Sequence, residues 1–371
     1  MTKTYKIYLV AGARPNFIKI APILRALQNY KDKIDAQIIH TGQHYDYEMS
    51  QVFFEQLGIP EPDFYLDVGS GSHAFQTAQV MIRFEKLLID DRPDLVVVLG
   101  DVNSTLAGAL TAVKLHIPVA HIEAGLRSFD KSMPEEINRI LTDHISDLLF
   151  TTEPVADANL AKEGIESEKI HLVGNVMIDA LINILPVIEN NDTTDRLGLN
   201  PQSFGVVTLH RPSNVDSENA LRKVLAVLRN VISHGKIIFP AHPRTIKNIE
   251  KFNIRDEFES LENLEIIEPL GYIDFMNLVK KSKFVMTDSG GIQTETTWLG
   301  VPCITLRENT EHVITIENGT NHLTGLDLGK IQKAFDWIEN FDKSKYKPPE
   351  IWDGKAAERI VMIILKHFHL N

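Results

Sequence analysis

The stretch "DLVVVLGD", Asp94–Asp101, constrains the fold more than any other part of the chain. Its five central residues are all apolar and three are β-branched. Such a run has no polar face, so the strand it forms is expected to be covered on both sides, as in a parallel sheet. The helix-like "STLAGALTAVKL" follows, and then the strand-like "IPVAHIEAG". A strand, a helix and a second strand in that order make the right-handed unit from which doubly wound sheets are built. The same rhythm opens the chain. "KIYLVAG" (Lys6–Gly12) reads as a strand, "NFIKIAPILRALQNY" places Phe17, Ile20, Leu24 and Leu27 at helical spacing, and "AQIIHTG" reads as a second strand.

The rhythm restarts at "FGVVTLH" (Phe204–His210). The amphipathic "ENALRKVLAVLRNVISHG" follows, ending at Gly235, and then the strands "KIIFPAHP", "LEIIEPLG", "KFVMTDSGG" and "PCITL". The polar stretch "NNDTTDRLGLNPQS" separates the halves, and there is no short-period repeat. A chain of 371 residues, 43% apolar, exceeds one average core and supplies two. The expected fold is α/β, two Rossmann-like domains facing across a cleft. One spans residues 1–172 with 355–371 and the other residues 173–354, joined near Val173–Asn190. The closing "KAAERIVMIILKHFHL" is amphipathic and is expected to return to the first domain.

The formal charge of −12 disfavours nucleic acid and anionic lipid as partners. A small anionic ligand would need a locally basic pocket. The single cysteine, Cys303, lies in the apolar "VPCITL" and reads as a buried strand residue; without a second cysteine no intrachain disulfide forms, which fits a reducing compartment. "MTKTYKIYLVAGARP" has no long apolar stretch and no segment is long enough to span a bilayer, so a soluble cytoplasmic protein is expected.

In open parallel sheets ligands bind beyond the carboxyl ends of the strands. The chemically distinctive residues of this chain are expected there: Arg14, Gln43 and His44, Asp101, Glu123, His210 and Arg211, His242 and Arg244, and Ser289–Gly291. Ser289-Gly290-Gly291 stands where a strand hands over to a helix. Glycines admit close approach of a ligand, and the free N–H groups of a helix start attract anions. A plain tight turn is the alternative. The chain has no Walker loop and no GxGxxG after its first strand, where "GARPNF" stands, so a dinucleotide cofactor is unsupported. Arg14, Arg127, Arg211 and Arg244 supply positive charge for a diphosphate, although each could instead be a surface ion pair. Asp101 could cap the helix behind it, and Glu135 and Glu136 could be ordinary first-turn acids. Glu123, in an apolar setting, needs a partner. No metal-ligand spacing and no GxSxG elbow occurs.

"GARPNFIKIAPI", "HTGQH", "GDVNSTLAGAL", "HIEAGLRSFD", "MPEEINR", "VGNVMIDAL", "TLHRPSNVD", "AHPRT" and "TDSGGIQTET" occur in this order. Together they resemble the non-hydrolysing UDP-N-acetylglucosamine 2-epimerases over nearly the whole chain. The resemblance implies a GT-B-like fold, a homodimer, a UDP-sugar substrate and no cofactor. It implies catalytic roles for Asp101, Glu123, Glu135 and His210. Arg14, Lys19, Arg127, Arg211, His242, Arg244, Tyr272, Phe275, Ser289, Gly290, Gly291 and Glu295 would bind substrate. Within that set the serine-glycine-glycine turn would hold the diphosphate, Glu295 the ribose, and Tyr272 and Phe275 would lie near uracil. The implied reaction interconverts UDP-GlcNAc and UDP-ManNAc for polysaccharide precursors. UDP leaves C1, C2 loses its proton to give 2-acetamidoglucal, and both are re-added with inversion at C2. Two proton-transfer groups on opposite faces are then required.

Two segments depart from the family pattern. Gln43-His44-Tyr45-Asp46 stands where substrate-activated members carry Gln-His-Arg-Gln, which replaces a cation with a carboxylate. Thr310-Glu311-His312-Val313-Ile314 stands where many members carry Thr-Glu-Arg-Pro-Glu, so a contact near the phosphates is expected to differ. "HTGQHYDYEMS" and "FFEQLGIP" also resemble the subgroup acting on UDP-2,3-diacetamido-2,3-dideoxyglucuronic acid. A hydrolysing epimerase, a GT-B glycosyltransferase and a non-catalytic UDP-sugar sensor are the remaining alternatives.

Overall fold

The structure, a computed structural model, describes residues 3–42 and 58–370, with the side chain of Arg14 outside that set. The chain forms two compact units, Met1–Asn183 with Ile351–Asn371, and Ile184–Glu350. Unit 1 holds a seven-stranded sheet, all parallel, in the order β3-β2-β1-β4-β5-β6-β7. Its strands are β1 (Tyr5–Ala11), β2 (Ile34–His40), β3 (Phe64–Tyr65), β4 (Leu95–Leu99), β5 (Val119–Ala124), β6 (Leu148–Thr151) and β7 (Ile170–Leu172). Unit 2 holds a six-stranded parallel sheet in the order β10-β9-β8-β11-β12-β13. These are β8 (Phe204–Thr208), β9 (Lys236–Pro240), β10 (Leu264–Ile267), β11 (Phe284–Thr287), β12 (Cys303–Thr305) and β13 (Asn321–Leu323). In both sheets the order reverses beside the first strand, between β1 and β4 and between β8 and β11. That reversal is where a doubly wound sheet opens a crevice for ligand.

The principal helices, in chain order, are α1 (Arg14–Leu27), α2 (His73–Asp90), α3 (Asn103–Lys114), α4 (Pro134–Ile145), α5 (Pro154–Lys162), α6 (Val176–Glu189), α7 (Glu218–Val231), α8 (Pro243–Lys251), α9 (Tyr272–Lys281), α10 (Gly290–Leu299), α11 (Leu328–Asn340) and α12 (Ala356–His367). Proline occupies the first turn of α1, α4, α5 and α8, where its fixed φ suits a helix start and no N–H is wasted. Every residue of β4 is fully buried, as its unbroken apolar run requires. Gly108 of α3 lets that helix close on the sheet, since a Cβ there would stand 3.3 Å from Val98 and 3.4 Å from Val10. Among the described residues no helix is long and apolar enough to cross a membrane. Cys303 is buried in β12, and burial pushes its thiol up to about 11.

The segment after Glu350 returns to unit 1. Trp352, 2% exposed, donates its indole N–H to the Thr152 carbonyl at 3.0 Å. Asp179 of α6 accepts the Ala357 N–H at 2.7 Å and so caps α12, while Arg359 donates to the Val173 carbonyl at 2.8 Å. Gly174, at φ +91°, passes directly under the Ile351 carbonyl, where a Cβ would collide.

Candidate active site

In unit 1 the site is built on the ends of β1, β4 and β5. Asn16 of α1 accepts the N–H groups of Gly12 and Ala13 and donates to the Leu99 carbonyl at 3.1 Å, which ties the first loop to the end of β4. Glu123 lies in β5 at φ +70°, where the register with β6 shifts between Ile122 and Ala124. Positive φ costs a residue with a side chain on the order of 1–3 kcal/mol, and such strain persists where the surroundings enforce it. The bulge aims the carboxylate at Lys19 of α1, and the two form a buried ion pair. The pair sits against the turn at Gly100; a Cβ there would stand 3.3 Å from Lys19 Nζ and 3.4 Å from Glu123 Oε2. Asp101, the next residue, is partly exposed and pairs with the buried Arg139.

Glu135 and Glu136 are neighbours with opposite fates. Glu136 is 1% exposed and accepts from Ser128 N (2.9 Å), Ser128 Oγ (3.0 Å), Phe129 N (2.8 Å) and Arg139 (2.7 Å). Burial alone would raise its carboxyl; these donors outweigh it and hold it below the usual range. It braces the loop before α4. Glu135 is half-buried and, among the described residues, has no side-chain hydrogen bond or ion pair.

Beneath these groups lies a buried network that the sequence alone does not reveal. His121 of β5 bonds Asp143 Oδ1 at 2.6 Å and donates to the Gly100 carbonyl at 2.8 Å. Asp143 also accepts from Gly125 N and from Arg127 at 2.7 Å, and Arg127 holds Glu163 in two bonds of 2.7 Å. Burial would raise Asp143; its cationic partners instead leave it lowered. Arg127, expected as a diphosphate ligand, is thus turned inward and neutralised within unit 1. The backbone of Arg14 begins α1, and its side chain lies outside the described residues.

In unit 2 the switch point between β8 and β11 gathers His210, Arg211 and the Ser289 turn around Asp288. Asp288 is fully buried and accepts from His210 N, Arg211 N (3.0 Å), Asn214 Nδ2 (3.0 Å) and the His210 ring (3.0 Å to Nδ1). Burial would raise this carboxyl; the His210 contact and the N–H donors leave it lowered. Arg211 has no ion pair among the described residues. Arg244 is exposed and shares its charge with Asp216, through a bond of 2.7 Å and a second, shorter one. His242 caps α8, accepting from Arg244 N at 3.2 Å, and its imidazole is lowered by burial and then by its neighbours His210 and Arg244.

Ser289 is the N-cap of α10, so the N–H groups of its first turn are those of Gly290, Gly291 and Ile292. A Cβ on Gly290 would stand 2.8 Å from Glu311 Oε1 and 3.1 Å from His312 Nε2. The segment expected to differ near the phosphates therefore lies against this turn. Thr310 Oγ1 and Asn321 Nδ2 both bond Gln293 Oε1, at 2.6 and 3.0 Å, and Arg307 holds Glu311 at 2.7 Å. Glu295, further along α10, is 2% exposed; burial pushes its carboxyl up to about 7 against the lowering bond donated by the Tyr272 hydroxyl. Phe275 follows on α9 and is half-buried. Gln43, His44, Tyr45 and Asp46 lie outside the described residues. Among the described residues no group of three or more metal-ligating side chains could hold an ion.

The family model for UDP-N-acetylglucosamine 2-epimerase matches residues 25–365. The chain belongs to that family. It is 46% identical over 365 residues to the UDP-N-acetylglucosamine 2-epimerase of Methanocaldococcus jannaschii, covering 97% of this chain and 98% of that one. It is 43% identical over 324 residues to the UDP-2,3-diacetamido-2,3-dideoxy-D-glucuronate 2-epimerase of Pseudomonas aeruginosa, covering 86% and 88%. The crystal structure of the M. jannaschii enzyme in complex with UDP-GlcNAc and UDP superposes with a TM-score of 0.90 at 46% identity, over 97% of this chain and 99% of that one. The fold is accordingly the GT-B-like pair of Rossmann-like domains, and the protein is an isomerase of the epimerase class.

Proposed function

We propose that the protein interconverts UDP-GlcNAc and UDP-ManNAc at C2, supplying a precursor for surface polysaccharide from the cytoplasm. The likeness to the M. jannaschii enzyme with UDP-GlcNAc and UDP bound is the observation that carries this reading. The N–H groups of the Ser289 turn and the Arg211 guanidinium, which has no ion pair among the described residues, suit a diphosphate, with His210 beside them; Arg14 is proposed as a further ligand on the family resemblance alone. Glu295 suits ribose hydroxyls as donors, and Tyr272 and Phe275 suit the base. The unit 1 carboxylates suit proton transfer at the sugar.

The chemistry follows from where charge develops. The hydrogen on C2 has no adjacent carbonyl and is not acidic. As the C1–O bond breaks, its electron pair leaves with UDP and C1 becomes cationic. A carboxylate then takes the C2 proton, whose bonding pair forms the C1–C2 double bond of 2-acetamidoglucal. Return of a proton to the other face and of UDP to C1 gives the epimer. Glu123, Asp101 and Glu135 supply the proton-transfer groups, each type worth about 10²–10⁴-fold. Lys19, paired with Glu123, keeps a compensating cation beside them.

A second reading is supported by the 43% identity to the P. aeruginosa enzyme, a 2-epimerase of the diacetamido-glucuronate sugar. Incubation in deuterated water with each UDP-sugar separates the two. Deuterium at C2 of UDP-GlcNAc is expected; incorporation only into the diacetamido-glucuronate would reverse the assignment, and none into either would remove the epimerase reading. A homodimer is also proposed. Phe75, Ile82 and Ile89 expose an apolar stripe at seven-residue spacing on α2, and Ile137 and Leu141, four residues apart, are exposed on α4. Light scattering on Ile82→Lys with Leu141→Lys is expected to show monomers.

A further inference from the structure

We propose that Asp288 is a positioning residue that dictates which nitrogen of His210 does the work: Nδ1 is held as a permanent donor and Nε2 is the nitrogen presented to the departing UDP. This rests on the reading of His210 as a reacting-site group. The basis is the set of partners around one buried carboxylate. Its Oδ1 faces His210 Nδ1 at 3.0 Å and His210 N at 3.1 Å. Its Oδ2 faces Arg211 N at 3.0 Å, Asn214 Nδ2 at 3.0 Å and His210 N at 3.2 Å. Every other partner is a donor, so the carboxylate acts as an acceptor throughout, and His210 Nδ1 must carry a proton to bond it.

Asp288 thereby links three parts of the switch point. It fixes the ring of His210, the backbone at Arg211, and the start of the Ser289 turn one residue on. With Nδ1 committed, Nε2 alone gains or loses a proton. The ring alternates between a cation donating from Nε2 and a neutral form with its Nε2 lone pair bare. Asp288, fully buried, keeps its negative charge beside the partly exposed ring in both states.

Asp288→Asn reverses this arrangement for a geometric reason. The new amide has one acceptor and one donor end. Its NH2 cannot sit at the Oδ2 position, where Arg211 N and Asn214 Nδ2 both point in. The Asn214 amide cannot turn to relieve that clash, because its Nδ2 also donates to the Leu306 carbonyl at 3.0 Å. The NH2 therefore takes the Oδ1 position, where His210 N gives up one of its two acceptors and keeps the oxygen at the Oδ2 position, 3.2 Å away, and it donates to His210 Nδ1. That leaves Nδ1 without its proton, places the proton on Nε2, and opposes the cationic ring. The same isosteric change, which removes the carboxylate charge, leaves the geometry intact in the His–Asp pair of a serine protease and disables catalysis through the wrong tautomer.

The test is nuclear magnetic resonance of the full chain carrying 13C,15N-histidine, recorded where the ring is neutral, with His210 assigned by its absence in His210→Gln. The wild-type protein is expected to show a protonated Nδ1 and a bare Nε2, and Asp288→Asn the reverse. Turnover of UDP-GlcNAc by Asp288→Asn is expected to fall at least ~10²-fold, with UDP affinity by calorimetry changed by less than about tenfold. A wild-type ring protonated on Nε2 overturns the proposal without need of any variant, as does an unflipped ring in Asp288→Asn. A flipped ring with near-normal turnover overturns the link to the chemistry. Near-normal turnover in His210→Gln overturns the underlying reading of His210, and the tautomer of the wild-type ring then still decides whether Asp288 fixes it.

Discussion

Glu295→Gln is expected to stabilise the free protein at alkaline pH and not at acid pH. Glu295 is buried in α10, and its carboxyl is pushed up to about 7 from an ordinary 4.5, first by burial, with the Tyr272 hydroxyl bond working against the rise. The folded pKa exceeds the unfolded one, so the folded state binds the proton more tightly. Below about pH 4.5 the group is protonated in both states and nothing is lost. Between 4.5 and 7 the folded state alone holds the proton, and stability falls as pH rises. Above 7 the full cost of an ionised buried carboxylate is present, about 3 kcal/mol at 1.36 kcal/mol per pKa unit. Glutamine removes that term and keeps an acceptor for Tyr272. In a domain of this size about 3 kcal/mol corresponds to roughly 6–12 °C in Tm. Thermal unfolding of wild type and Glu295→Gln at pH 5 and pH 8, without ligand, is the assay. The gain is expected at pH 8 only. UDP affinity is expected to drop through loss of a charged ribose acceptor, worth about 1.5–3 kcal/mol. An equal Tm difference at the two pH values, or a less stable variant at pH 8, would refute the reasoning.

Asp101→Asn, Glu123→Gln and Glu135→Gln are each expected to cut deuterium exchange at C2 by about 10²–10⁴-fold while calorimetry shows UDP binding retained; near-normal exchange in any one removes that residue from the chemistry. Gly290→Ala would bring a Cβ to 2.8 Å from Glu311 Oε1 and 3.1 Å from His312 Nε2, so weakened UDP binding with an unchanged circular dichroism spectrum is expected. Arg127→Met leaves Asp143 and Glu163 without their buried cation and is expected to cost about 3–5 kcal/mol in chemical denaturation; a smaller loss of activity than of stability would place Arg127 in the scaffold. Because Tyr45 and Asp46 replace a cationic segment, a progress curve from pure UDP-ManNAc is expected to start without a lag, and a lag abolished by trace UDP-GlcNAc would contradict that.

The strands that organise the site were readable because each is a long apolar run ending in a distinctive polar residue. β4, β5, β8 and β11 lie within the runs expected for them and β1 begins one residue earlier, at Tyr5; Gly12, Asp101, His210 and Asp288 follow β1, β4, β8 and β11, and Glu123 lies within β5. Strands β3, β7 and β13 are two or three residues long and offer no alternation to detect. The division between Glu135 and Glu136 was not readable either. Adjacent first-turn acids have the same local signature, and their roles separate only when the helix turns one of them toward the Ser128 and Phe129 N–H groups. Arg127 resembles any cation at a strand end, and its partners Asp143 and Glu163 are distant in sequence. Asp288 has the signal that could have found it: a polar residue closing an apolar strand, immediately before a glycine turn, beside a neighbouring strand that ends in histidine.

The return of the chain after Glu350 has a consequence for how the protein is made. Unit 2 is an insertion within unit 1, so a ribosome releases all of it before the last piece of unit 1 exists. Until that piece emerges, the surface that receives Trp352, Ile360 and Ile364, each buried in the finished fold, stays open. The second unit is free to complete its core while the first waits with apolar surface exposed. That interval is when the nascent chain is most prone to capture by chaperones or by other unfinished copies of itself.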